Sequence, residues 1–499
     1  MLFPTVEFAL FFAVVFPVAW ALNRFNTAKK FFLTAVSYLF YSFWDWRFLF
    51  LLLFSSVFNF AFGLIIEALK HPSSLRAQAS SPAATASGTG LLRSARNDGR
   101  DGARHSKAAI TLAVAGNLAL LGYFKYYDFL SANLSALLAR LGVQTDFGST
   151  GLALPIAISF LTFHGLSYVI DVYRGVLKPS RSLMDLMLYI AFFPHLVAGP
   201  IVRAHDFLAQ LAKPSDPARI LLGQSMLLIL GGLIKKVVIA SHISTRFVDP
   251  VFINPPDFGS VDLVLAMYAY AIVIYCDFSA YTDIAIGVAN LLGYRFPQNF
   301  NQPYRALTLQ DFWRRWHMTL SGWLRDYLYV PLGGNRFGAL MTYRNLLLTM
   351  GLGGLWHGAG TQFIVWGLIH GAGLSLERLL GIGSVAGSWP IRALRWFITF
   401  NIVCIAWIFF RSQSFDAALD YFRAIGASAP APALASLMVL TLMALGFATQ
   451  FLPQSLFTRI ERAYEHAPLA AQIALPVLII WIISVLAPAG VPPFIYFQF

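Results

Sequence analysis

The stretch GLGGLWHGAGTQFIVWGLIHG, residues 351–371, decides the class of fold. It is an apolar run without a Lys, Arg, Asp or Glu, and it carries His357 beside Trp356 among Gly353, Gly354, Gly358 and Gly360. A run of about 20 apolar residues is what a helix needs to cross a bilayer. Its glycines let a second helix or a ligand approach the backbone. The rest of the chain has the same character. Of 499 residues, 58% are hydrophobic and 12% charged, and the mean hydropathy is +0.65. A soluble domain carries about 25% charged residues. Half that share does not cover a 55.3 kDa globule. The sequence therefore predicts an all-α, polytopic membrane protein and excludes a soluble enzyme.

Aromatic residues make up 15% of the chain, as suits interfacial belts. The net charge of +13 would point to nucleic acid in a soluble protein. Here it is read as basic cytoplasmic loops that hold topology. Two cysteines, Cys276 and Cys404, exclude a disulfide framework and a thiolate metal site. The first apolar run, 2–22, lacks a basic leader and a cleavage site, so it is read as a retained span. Further apolar stretches lead to an expectation of about ten to twelve crossings in a single membrane domain over 1–499. Residues 71–107 are Ser/Ala/Gly-rich and basic, and they read as a disordered cytoplasmic loop and an insertion. With the basic 24–30 loop also inside, the N-terminus is outside.

Polar residues inside a membrane are costly, so their positions inform. They concentrate between Tyr275 and His370. Asp277 and Asp283 lie inside an apolar span, in YCDFSAYTDIAIG; they either pair with Arg or orient a helix, or they form the polar wall of an acceptor tunnel. Thr308 is a helix N-cap with Asp311 at its third position. A continuous helix from there places Trp313, Trp316, His317, Leu320 and Leu324 on one face, with Arg314 and Arg315 beside it. His317 is then either an interfacial histidine bonded to a neighbour or part of a site. His357, as an intramembrane imidazole, is a functional candidate, and a neutral imidazole is what a general base needs. On a continuous helix His370 falls about 140° away, on a different face, and reads as structural. No Gly-x-Ser-x-Gly elbow, phosphate loop or His-Glu-x-x-His zinc site occurs, and no metal is expected.

The run QDFWRRWHMTLSGWLRDYLYVPLGGNR (310–336), followed by GLWHGAGTQFIVWGLIHG, resembles the membrane-bound O-acyltransferase family. FHGLSYVIDVYRG (163–175), FFPHLVAGPIVR (192–203) and YCDFSAYTDIAIGVANLLGYRFPQNFNQPY (275–304) are similar to the same bacterial branch, that of alginate O-acetyltransferases and D-alanine transfer proteins. The resemblance implies a ring of tilted helices around a central tunnel, in a multi-pass protein of the bacterial inner membrane. It implies catalytic roles for His357 and His317. Trp313, Arg314, Trp316, Arg325, Trp356, Asp277 and Asn299 are the expected substrate-binding residues, and Arg315 and Arg336 join Arg314 and Arg325 as candidates for the donor's phosphates. The expected reaction is transfer from a cytoplasmic thioester, acetyl-CoA, toward an exported polysaccharide. A periplasmic or membrane-anchored acetyltransferase partner is expected, with no bound cofactor and no nucleic acid. The alternatives are D-alanyl transfer to a cell-envelope polymer, and a transporter or scaffold of a glycan export complex.

Overall fold

The computed structural model describes residues 3–70, 88–197, 199–383, 387–427, 435–488, 490 and 492–494. These residues form helices and turns, with no strand among them. Six helical segments are long and apolar enough to cross a membrane: Phe48–Lys70, Gly102–Arg140, Leu222–Ile253, Ser260–Leu291, Trp389–Arg411 and Leu469–Leu486. The other stretches in the ten-to-twelve estimate form helices that are shorter or more polar. Leu469–Leu486 exposes Ile473, Val477, Trp481 and Val485. Apolar surface on that scale is covered by lipid in a membrane protein.

The described residues fall into two compact units, one mainly Leu10–Val197 and Ile201–Ser215, the other mainly Asp216–Phe499. The first contains α1 (Asn26–Ser42), α2 (Phe48–Lys70), α3 (Gly88–Leu121), α4 (Ile158–Arg174) and α5 (Leu183–Ala191). Of the segment expected to be a disordered loop, 71–87 lie outside the described residues, and 88–107 belong to α3 instead. Propagating a helix from an apolar span adds one backbone bond per residue fixed, whereas nucleation alone is unfavourable. Where α2, α3 and α4 meet, the amides of Asn59 and Asn117 exchange hydrogen bonds of 3.2 and 2.9 Å. Gly165 fits against both, since a Cβ there would lie 2.5 Å from the Asn59 amide.

The second unit contains α6 (Leu222–Leu233), continued by a π-helical stretch Ile234–Ala240, then α7 (Ser260–Leu291), α8 (Leu309–Trp313), α9 (Met318–Leu324), α10 (Gly338–His357), α11 (Thr361–Leu379), α12 (Trp389–Arg411), α13 (Phe415–Gly426) and α14 (Leu469–Leu486). The best-buried span is α7, with 83% of its most apolar window inside the protein. Two of its three carboxylates are matched by lysines of the π-helical stretch: Lys236 binds Asp277 at 2.5 Å and Lys235 pairs with Asp283. The partners of these carboxylates are therefore lysines, not the arginines expected. Helices α10 and α11 form a hairpin with very close backbones. A Cβ on Gly354 would lie 2.1 Å from the Phe363 carbonyl oxygen, and one on Gly367 2.1 Å from that of Met350. That approach fixes where α10 ends, and α10 ends at His357.

Candidate active site

The 309–324 segment is not the single amphipathic helix that its periodicity predicts. The cap is as expected, with Thr308 Oγ1 accepting from the Asp311 amide at 3.0 Å. The helix nevertheless stops at Trp313, and His317 adopts left-handed φ 41° and ψ 55° before α9 begins. A non-glycine residue there is strained, and surrounding contacts must hold it. The extended 299–301 segment supplies them: Met318 N donates to the Asn299 carbonyl and Asn301 N to that of Arg315, both at 2.9 Å.

Asn299 also sets the chemistry of His317. Its Oδ1 accepts from Thr319 N at 3.2 Å and from Thr319 Oγ1 at 2.9 Å, and it lies 3.1 Å from His317 Nδ1. A backbone N–H can only donate, so the atom facing it is the amide oxygen. The same oxygen requires that His317 Nδ1 carry the hydrogen. Its Nε2 is then a bare lone pair, buried with no hydrogen-bond partner among the described residues. Around the ring stand Phe278, edge-on at 4.6 Å between centroids, and Trp356 at 6.3 Å. Burial pushes the His317 imidazole down to about 3, so it is neutral at physiological pH.

Trp356 connects His317 to His357, its centroid 4.9 Å from the latter ring. His357 is 4% exposed and walled by Trp366 at 5.0 Å and Phe410 at 5.1 Å. The expected offset between His357 and His370 assumed one continuous helix. The chain instead reverses through extended Gly358 and Gly360, and α11 starts at Thr361. Both imidazoles consequently touch Trp366, each at 5.0 Å. His370 accepts a hydrogen bond from Trp313 Nε1 at 3.3 Å. Indole nitrogen only donates, so His370 holds its own hydrogen on Nε2, the opposite tautomer to His317.

The structure thus gathers His317, His357, Asn299, Trp313, Trp316 and Trp356 into one aromatic core, with Trp316 stacked on Phe312 at 5.6 Å and packed on Trp407 at 5.0 Å. Asp277 belongs elsewhere, in its ion pair with Lys236. Arg314 is exposed, Arg315 pairs with Asp311 at 2.9 Å, Arg325 with Asp326 at 2.7 Å, and Arg336 donates to the Val330 carbonyl. Trp366 and Phe410, the walls of His357, were not anticipated, because nothing local in an apolar helix tells a site wall from core. Lys235 and Lys236 were open to detection: two adjacent cations inside an apolar run require partners.

A family model, MBOAT, membrane-bound O-acyltransferase family, matches residues 175–415. The chain is 38% identical to "Probable alginate O-acetylase AlgI" of Azotobacter vinelandii, over 85% of this chain and 78% of that one. It is 34% identical to "Peptidoglycan O-acetyltransferase" of Helicobacter pylori, over 79% of this chain and 73% of that one. It is 31% identical to "Teichoic acid D-alanyltransferase" of Bacillus subtilis, over 52% of this chain and 69% of that one. Motifs, all-helical membrane architecture and relatives agree: this chain is a multi-pass acyltransferase that belongs to the membrane-bound O-acyltransferase family.

Proposed function

We propose that the protein transfers an acetyl group from acetyl-CoA, on the cytoplasmic side of the bacterial inner membrane, to a hydroxyl of an exported polysaccharide or of a serine on an extracytoplasmic partner protein. The observation that carries this reading is the pair of buried imidazoles on either side of Trp356. His357 takes the proton from the acceptor hydroxyl as its oxygen attacks the thioester carbonyl. The tetrahedral intermediate collapses, the carbon–sulfur bond breaks, and the imidazolium returns the proton to the leaving thiolate. General base catalysis contributes about 10²–10⁴-fold. His317, Trp313, Trp316 and Trp356 position the acyl group, and the oriented donor supplies the remaining advantage.

The charge pattern supports this direction of transfer. Arg378, Arg392 and Arg395 mark the end where α11 leaves and α12 begins, and Arg336 and Arg344 mark the start of α10. By the positive-inside rule those ends are cytoplasmic, so His357 and Arg411 lie toward the outer side. Arg314, Arg325 and Arg336 then face the donor's phosphates. The names of the relatives support acetyl as the acyl group and a polysaccharide as the acceptor.

The test is full-length protein in nanodiscs supplied with radiolabelled acetyl-CoA and a polymannuronate acceptor. His357→Ala should abolish transfer with donor binding kept. Retained transfer in that variant sinks the mechanism, and a requirement for a D-alanyl carrier protein replaces acetyl with D-alanyl. A second assignment, favoured by the bare Nε2 of His317, makes that residue the base. It predicts the deeper loss in His317→Gln rather than in His357→Ala.

A further inference from the structure

A second polar site in the same unit is lined by none of the side chains of the aromatic core. A small crevice is lined by Lys236, Ser244, Tyr270, Asp277, Arg411 and Pro493, among others, with a cavity volume of about 20 Å³. That is room for one water-sized group. At its floor lies the Lys236–Asp277 pair, with side chains 3% and 5% exposed. At its rim Arg411 binds Asp249 at 2.6 Å, with side chains 15% and 29% exposed. Lys236 also donates to the Pro493 carbonyl, and Ser244 to Asp249. Tyr270 differs from these. It is 1% exposed, and its hydroxyl has no hydrogen-bond partner among the described residues. Leaving a buried hydroxyl unsatisfied costs about 1–3 kcal/mol, so a group other than the described residues is expected to meet it.

The surroundings select the chemistry of that group. Two cations, Lys236 and Arg411, face two carboxylates, Asp277 and Asp249, so the crevice is already charge-balanced. Adding a carboxylate or phosphate would bury a net charge at high cost. A neutral hydroxyl adds none, and it can both donate and accept. The walls point to function as well: Lys236 and Ser244 sit on two π-helical stretches, Ile234–Ala240 and Ser244–Val248, and π-bulges occur frequently at functional sites. On the topology proposed above, the crevice lies on the outer side, since Arg411 ends α12 and Pro493 follows α14. Arg411 is next in sequence to Phe410, a wall of His357.

We propose that the Tyr270 crevice is an acceptor subsite that holds one uncharged, non-reacting hydroxyl of the molecule to be acylated. This rests on the acyl-transfer reading above, and it adds a residue that recognises the acceptor rather than the donor. Tyr270→Phe removes one oxygen that has no hydrogen-bond partner among the described residues, so folding should be unaffected.

The experiment measures binding of a non-acetylated mannuronate hexasaccharide to full-length protein in nanodiscs, wild type against Tyr270→Phe. A carboxyl-reduced form of the same hexasaccharide is the second probe. We expect affinity for both probes to fall about tenfold in Tyr270→Phe, the loss of one good hydrogen bond, with unchanged acetyl-CoA binding and unchanged unfolding temperature. Equal affinity in the two proteins overturns the subsite, and is the result if Tyr270 meets only a structural water. A Tyr270 effect confined to the carboxylated probe overturns the choice of an uncharged hydroxyl. Tyr270-dependent binding in a protein that transfers no acetyl leaves the subsite standing and overturns the acetyltransferase reading instead.

Discussion

His164 and His195 in the first unit, and His317 and His357 among the four buried histidines described in the second, form two pairs that are built differently. In the first unit His164 and His195 are both 0% exposed, with ring centroids 4.7 Å apart. His195 is anchored by a 2.8 Å hydrogen bond between its Nε2 and the Tyr189 carbonyl. His164 packs against Tyr189 and His195 by ring contact, and neither of its nitrogens has a hydrogen-bond partner among the described residues. In the second unit His317 has one nitrogen pinned by Asn299, and Trp356 stands between it and His357. Burial is common to both pairs, so burial alone does not mark chemistry. Each pair has one imidazole whose tautomer an acceptor oxygen fixes, the Tyr189 carbonyl for His195 and Asn299 Oδ1 for His317; what separates the pairs is that the rings of the first touch each other, whereas Trp356 stands between those of the second.

The sharpest way to break the comparison is to remove one imidazole from each unit. His357→Ala should lower acetyl transfer by about 10²–10⁴-fold with normal yield of folded protein. His164→Ala should behave in the opposite way, with lower yield or unfolding temperature from the cavity it leaves and unchanged activity per folded molecule. Specific activity after size-exclusion chromatography separates the two. Equal catalytic losses would erase the distinction between a packing pair and a catalytic pair.

Next in size is the effect of glycines at the helix contacts. At Gly354 an added methyl meets the backbone carbonyl of Phe363, which has no rotamer to change. At Gly63 in the first unit it meets the end of the Tyr168 ring, at 2.7 Å from the hydroxyl oxygen. Gly354→Ala should therefore cost about 3 kcal/mol, the upper range for overpacking, and carry activity with it, because α10 positions His357. Gly63→Ala should cost about 1 kcal/mol and leave activity intact. Thermal unfolding in detergent, read with activity, checks both.

These sites also show what was legible in the sequence. The membrane class, Thr308 as a cap, the burial of Asp277 and the candidacy of His317 and His357 rest on composition or local spacing, and local signals carry them. The break at His317 was not legible. Its periodicity is helical on both sides, and the left-handed turn is imposed from Asn299, eighteen residues earlier. The reversal after His357 was missed for a related reason. Glycines at 358 and 360 fit a helix crossing as well as a turn, and only packing of Phe363 against Gly354 and Gly358 decides. The lysine partners of Asp277 and Asp283 lie more than forty residues away, beyond any local pattern.

A smaller effect is expected where the tautomer is set. Asn299→Leu removes the acceptor from His317 Nδ1 and should lower kcat about tenfold with the acetyl-CoA KM little changed, as for a positioning residue. Asn299→Asp keeps an acceptor but places a carboxylate beside the ring, which favours the imidazolium. Wild-type His317 titrates at about 3 when folded, below its unfolded value near 6.5. The unfolded chain therefore takes the proton first. This residue's contribution to stability is complete above about pH 6.5 and is lost as pH falls toward 3. The aspartate raises the folded value and narrows that window. The acid limb of activity should move to higher pH in Asn299→Asp, and an unmoved limb would show that His317 protonation is silent in the reaction.

The smallest effects should come from the basic face, where two arginines differ in one respect. Arg325 is already engaged by Asp326, and its side chain is 66% exposed. Arg314 is exposed with no ion pair described for it. An exposed pair contributes about 0–1 kcal/mol, so Arg325→Ala should leave stability unchanged. Part of its charge is offset by the neighbouring carboxylate, so it attracts a donor phosphate less than a free guanidinium does. Arg314→Ala should therefore raise the acetyl-CoA KM about threefold and Arg325→Ala less than twofold, with kcat kept in both, because a phosphate contact far from the thioester is the same in ground and transition states. Screening sharpens the contrast: at about 1 M salt, where the Debye length is about 3 Å, the wild-type KM should rise to meet that of Arg314→Ala. An Arg314→Ala enzyme with the wild-type salt dependence would move the donor phosphates to another part of the surface.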